Sequence, residues 1–240
     1  MKKIYYITAV FATLFLVGCG DGIDLPGVNV ETDLNKIPLP DNNVNLEQVE
    51  LKPSTEPMLH EGLHTEEDFQ RIRDKKAAGE EPWVSAYQLL VESQFSQKTA
   101  DTYPTEWIKR GISGDENYMN AARGATIVYQ QALRWKIEQD DEYAAKAVEN
   151  LNKWVQTCVG VTGNTNLSLA AGLYGYEFAI AGELLRDYGG WDRADFAAFQ
   201  NWLLKVFYPA NDDFLKRHHD TNALHYWANW CLCNIAAKMA

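Results

Sequence analysis

The residue types best suited to chemistry lie close together near the end of this 240-residue sequence, in Asp220-Thr221-Asn222-Ala223-Leu224-His225-Tyr226-Trp227-Ala228-Asn229-Trp230. On a helix Asn222, His225 and Asn229 fall at i, i+3 and i+7 and share one face, with Cys233 a turn further and Trp227 and Trp230 on the flanks. Such a stripe needs partners, because each unpaired buried polar group costs ~1–3 kcal/mol. Either neighbouring loops satisfy it, or a ligand does. The chemistry open to a ligand-binding stripe is removal of a proton from carbon beside a carboxylate, as at C5 of a uronic acid. That proton is very weakly acidic while the carboxylate is charged. A neutral amide bound to the carboxylate stabilises the enolate-like intermediate. A nearby His or Tyr takes the proton, and flanking indole rings suit sugar faces.

The elements that must hold these residues read as helix after helix. Thr65 opens one with Asp68 as its N3 acid, and Phe69, Ile72 and Ala77 follow until Gly79. Pro82 begins the next, with Trp83, Ala86, Tyr87, Leu90 and Val91 as its apolar stripe. Ser96 to Ser113 is looser. Helices are expected over Glu116–Glu138, Glu142–Cys158 and Leu169–Tyr188. The last of these is apolar on nearly every side and therefore buried. Asp192 caps a helix to Phe207, stopped by Pro209, and Asp220–Ala240 is the final helix. No strand pattern of any strength appears. The fold class is all-α, as antiparallel helical hairpins joined by short loops.

Before this domain, residues 1–18 read as a lipoprotein signal peptide. Lys2 and Lys3 precede an apolar run that ends in Leu16-Val17-Gly18-Cys19, a lipobox in which the Cys19 thiol takes the lipid. Residues 19–57 are rich in Asp, Asn, Pro and Gly and read as a flexible tether. The expected location is the cell envelope, periplasmic or outer-membrane, with the lipid as the membrane contact. Residues 58–240 are the domain. The whole chain is 46% hydrophobic with 8 Trp and 12 Tyr, enough for one sizeable core. A net charge of -11 excludes a nucleic-acid partner and means that an anionic substrate needs a local group of compensating charges. Cys158, Cys231 and Cys233 are an odd set after Cys19 and read as free thiols. Metal-ligand spacing is absent, and no cofactor is implied.

Several segments in order carry a resemblance to a known family. They are His60-Glu61-Gly62-Leu63-His64-Thr65 with Phe69, Ile72 and Arg73, then Gly79-Glu80-Glu81-Pro82-Trp83, Leu151-Asn152-Lys153-Trp154, Leu169-Ala170-Ala171-Gly172-Leu173-Tyr174-Gly175-Tyr176, Val206-Phe207-Tyr208-Pro209 and Tyr226-Trp227-Ala228-Asn229-Trp230. Together they resemble the alginate lyase family of bacterial polysaccharide lyases. The resemblance implies an (α/α) toroid, here incomplete, and β-elimination on an anionic polysaccharide, alginate or a related polyuronate. It implies an Asn-His pair on the last helix. Asn229 matches the Asn, but Trp230 stands where the His would be, so the base is either His225 or a group downstream. The family's Tyr and Arg follow this helix, and the final helix stops in mid-pattern at Ala240, so the sequence reads as part of a longer, more active protein.

The candidate catalytic residues are thus Asn229 and His225, and the candidate substrate contacts are Asn222, Tyr226, Trp227, Trp230 and Asn166. Asn164 and Asn166 precede the buried helix and fit a sugar subsite or ordinary turn roles equally. His60, His64, Tyr174 and Tyr176 read as structural. Two other functions compete. A non-catalytic glycan-binding lipoprotein needs exposed aromatics but no polar stripe. An (α/α) glycoside hydrolase needs two carboxylates across a sugar bond, and Asp212, Asp213 and Asp220 have no distant acid at a recognisable spacing.

Overall fold

The computed structural model describes residues 63–240. The signal peptide, Cys19, the tether and the domain's first residues, His60 included, lie outside the described residues, as does the side chain of His225.

Helix α1 (Glu66–Ala77) starts as its sequence requires: the Thr65 hydroxyl accepts from Asp68 N–H while Asp68 accepts from Thr65 N–H, a complete capping box. Helix α2 (Trp83–Glu92) follows Pro82. Next comes a feature the sequence reading missed, strand β1 (Trp107–Arg110), paired in parallel with β2 (Gly160–Gly163). The register places Arg110 opposite Gly163. Only glycine fits there: φ is +146°, and a Cβ would stand 1.7 Å from the Arg110 carbonyl oxygen.

Helices α3 (Tyr118–Glu138) and α4 (Asp141–Thr157) form an antiparallel hairpin. Trp135 Nε1 donates to Asp141 near the turn, and Asn150 Nδ2 donates to Gln131 Oε1 farther down. Both buried amides also bind carbonyls of the 97–100 loop, so the polar atoms in this layer are partnered. Helix α5 (Asn166–Leu185) is buried along most of its length, as its all-round apolar sequence requires. Helix α6 (Arg193–Val206) is capped by Asp192, whose carboxylate accepts from Ala194 N–H. Pro209 does not end the helical path here. It sits in the first turn of a further helix, α7 (Tyr208–Arg217), where its missing N–H costs nothing. Helix α8 (Asn229–Met239) closes the described chain.

The packing follows a two-layer plan. α6 and α7 run back along α5, with Phe199 against Gly182 and Phe207 against Gly175. α3 and α5 run in the same direction, since Thr126 meets Glu177 and Trp135 meets Tyr188. α8 runs parallel to α5 as well: Leu169 packs on the cluster of Phe214, Tyr226 and Trp230, and Gly172 on Cys233. Three like-directed inner helices, α3, α5 and α8, therefore carry returning outer helices, which is the expected all-α incomplete (α/α) toroid of hairpins. Trp154, Phe178, Trp202 and Phe207 fill the space between the layers. Among the described residues no helix is long and apolar enough to cross a membrane.

Candidate functional site

Parallel packing brings the N-terminal ends of α3, α5 and α8 to one end of the domain. The residues expected to do chemistry arrive there, though not as a helical stripe. Asp220–Ala240 is not one helix. Thr221 is extended, Leu224–Trp227 is a 3-10 turn, and Ala228 (φ -110°, ψ -120°) breaks the path before α8 begins at Asn229. Asn222, His225 and Asn229 thus share no helical face, which corrects the i, i+3, i+7 reading. Aromatic burial provides the cause. Tyr226 and Trp230 turn onto Phe214 in a small second core, and Trp227 stacks on His218 at 4.1 Å. Asp220, Thr221 and Asn222 offer little helix propensity to oppose this.

The broken segment sorts its candidates. Asn229 is exposed at the first position of α8, and Asn222 is half-buried before the 3-10 turn. Trp227 keeps 39% of its surface accessible, whereas Tyr226 and Trp230 keep 5% and 7%. A sugar ring can therefore reach Trp227, while the other two aromatics are held by core packing. In the 164–166 turn, Asn164 Oδ1 accepts from both Asn166 N–H and Asn166 Nδ2 at 2.9 Å, an Asx turn just before α5.

Ahead of this segment lies a turn that sequence reasoning did not single out. His218, His219 and Asp220 are three successive non-glycine residues with left-handed backbone, φ 46°, 56° and 57°. Such conformations cost ~1–3 kcal/mol each and persist where surrounding contacts enforce them. Here the contacts are specific. His219 Nε2 lies 3.0 Å from Ser168 Oγ on α5, and His218 Nε2 lies 3.1 Å from Cys231 Sγ on α8. Burial, and the adjacent His219, hold the His218 pKa below its usual value, so this imidazole is neutral at neutral pH. Its Nδ1 is buried without a hydrogen-bond partner.

The same end holds Arg110, delivered by β1. Its guanidinium lies 4.7 Å over the Tyr118 ring of α3 and donates to the Tyr174 hydroxyl of α5 at 3.4 Å. Burial pushes the Tyr174 phenol up to about 12, so it is protonated. The Cys231 and Cys233 thiols are also raised by burial, Cys233 to about 12, which agrees with inert free thiols. Deeper between α3 and α5, the Glu177 carboxyl accepts from Thr126 Oγ1 at 3.0 Å, and burial pushes its pKa up to about 7. His64 is packed against Phe69 and Tyr129, with Nε2 2.6 Å from the Tyr129 hydroxyl, a structural placement. No group of three or more metal-ligating side chains occurs among the described residues.

Imidazoles, amides, an exposed indole and Arg110 thus lie toward the end where three helices begin, in a domain whose overall charge is negative. This is a set suited to binding an anionic sugar and moving a proton. The sequence profile of the family described as Alginate lyase matches residues 72–239. No curated protein and no solved structure matches the chain.

Proposed function

The chain belongs to the alginate lyase family, and on that premise we propose that it cleaves a uronic-acid polymer, alginate or a related polyuronate, by β-elimination. The family match over residues 72–239 carries this reading; the grouping of amides, imidazoles and Arg110 at one end of the inner helices supports it. In the proposed reaction a base takes the C5 proton, the electron pair forms the C4–C5 double bond, and the C4–O bond breaks as the leaving oxygen gains a proton. Asn229 donates its amide N–H to the substrate carboxylate as charge develops. His225 serves as base from the 3-10 turn between Asn222 and Asn229, and Trp227 offers its exposed face to a sugar ring. Asn222 and Asn166 border the same end, while Tyr226 and Trp230 hold the segment in place from the core.

Loss of a positioned donor to developing charge costs ~3 kcal/mol, about a hundredfold in rate. Asn229→Ala in the full protein as its gene encodes it should lose most turnover and melt near the parent temperature. Full turnover in that variant would remove Asn229 from the site. We also propose that Cys19 is lipidated and tethers the domain at the cell envelope. Metabolic lipid labelling should vanish in Cys19→Ala; label retained by that variant would refute the anchor.

A further inference from the structure

Arg110 differs from most basic side chains of this acidic protein. Most of them are paired with acids, as Lys98 is with Asp140 and Arg134 with Glu138. Arg110 makes no ion pair among the described residues, although it is half-buried. Of its five N–H donors the described residues engage one, through Nη1 to Tyr174. The acids nearby are otherwise occupied. Glu116 takes the Gly111 N–H, and Glu177 takes the Thr126 hydroxyl. A guanidinium placed this way is costly to maintain unless something anionic uses it.

Its position is also tightly set. Gly163 lets β2 close on the Arg110 carbonyl, which fixes the end of β1. Tyr118 forms a shelf under the guanidinium, and Tyr174 holds one edge. Arg110 thus bears on α3 through Tyr118 and on α5 through Tyr174. The Tyr118 ring lies against the guanidinium fork, and donors beyond the one given to Tyr174 have no partner among the described residues. A carboxylate is the planar, two-oxygen anion that such a fork matches.

We propose that Arg110 is a specificity-determining residue that grips a sugar carboxylate of the substrate, selecting uronate-containing chains over neutral ones. This rests on the proposed function for the choice of sugar acid. It also answers the charge problem of the sequence: an anionic polymer approaching a chain of net charge -11 needs a local cation, and Arg110 is a half-buried one without an ion pair among the described residues.

The test measures binding separately from turnover, on the full protein as encoded. A mannuronate oligomer and its carboxyl-reduced, neutral counterpart are titrated against the parent, Arg110→Gln and Arg110→Lys. The parent should bind the acidic oligomer more tightly than the neutral one. Arg110→Gln should weaken the acidic oligomer by about 10–100-fold and leave the neutral one unchanged. Arg110→Lys should fall between, because it keeps the charge and loses the fork. In turnover the loss should appear in KM more than in kcat. A variant-free measurement covers the case in which Arg110→Gln melts early: phenylglyoxal should modify Arg110 in the parent, and the acidic oligomer should protect it while the neutral one does not. Acidic-oligomer affinity unchanged in folded Arg110→Gln, no preference for the acidic oligomer in the parent, or absence of protection would each overturn the proposal. Arg110-dependent binding without any unsaturated product would uphold Arg110 and overturn the lyase reading instead.

Discussion

Ser168 Oγ on α5 and His219 Nε2 in the left-handed turn after α7 lie 3.0 Å apart, so a buried hydroxyl of an inner helix holds an imidazole that its own backbone would not favour. This bond ties the strained turn to the helix it faces. Ser168→Ala should lower stability by ~1 kcal/mol, because His219 loses its partner while the strain remains. For a domain of this size that is a drop of roughly 2–4 °C in melting temperature. An unchanged calorimetric melt would show that the turn is held by packing on Phe214 and Tyr226 alone.

The start of α8 is set by a missing side chain. A Cβ at Gly172 would lie 2.6 Å from Cys233 Sγ and 3.0 Å from the Asn234 nitrogen, which is backbone and cannot rotate away. Gly172→Ala should therefore push α8 off α5 and cost about 1–3 kcal/mol despite the better helix propensity of alanine. Chemical denaturation should show this loss. Stability equal to or above the parent would mean that α8 is not packed as closely as described.

Glu177 makes stability depend on pH in a direction opposite to most carboxylates. Burial raises its pKa from 4.5 to about 7, with Thr126 and Tyr129 facing it from α3 and Tyr176 beside it on α5. A raised folded-state pKa stabilises fully below the unfolded value and is lost as pH rises through about 7. The gap corresponds to about 3 kcal/mol. Glu177→Gln should thus be more stable than the parent at about pH 8 and lose that advantage at about pH 5. Denaturation midpoints at the two pH values decide it; a difference that is the same at both would contradict a buried, neutral Glu177.

Much of the fold was legible in the sequence because the signals were local. Thr65 with Asp68, Asp192 before α6, and the all-round apolar Leu169–Tyr188 segment each acted through residues a turn apart, and the structure follows them. Pro209 was ambiguous, since the same residue that cannot continue one helix can start another. The Asp220–Trp230 segment misled for a long-range reason. Its helical spacing was real, but Phe214 and His218 draw Tyr226, Trp227 and Trp230 out of register. Arg110 was hidden because β1 is four residues long and its partner strand lies far along the chain. The signal available was the Trp107-Ile108-Lys109-Arg110 run facing Gly160-Val161-Thr162-Gly163, too short for periodicity to separate from loop.

The measurement that bears most directly on the proposed function is ultraviolet absorbance of polymannuronate and other polyuronates incubated with the full protein as encoded. β-Elimination creates a C4–C5 double bond at each cut, so absorbance should rise with chain cleavage, and Asn229→Ala should abolish most of that rise while melting normally. Cleavage that yields saturated ends with no absorbance, or no cleavage of any polyuronate by the intact protein, would contradict it.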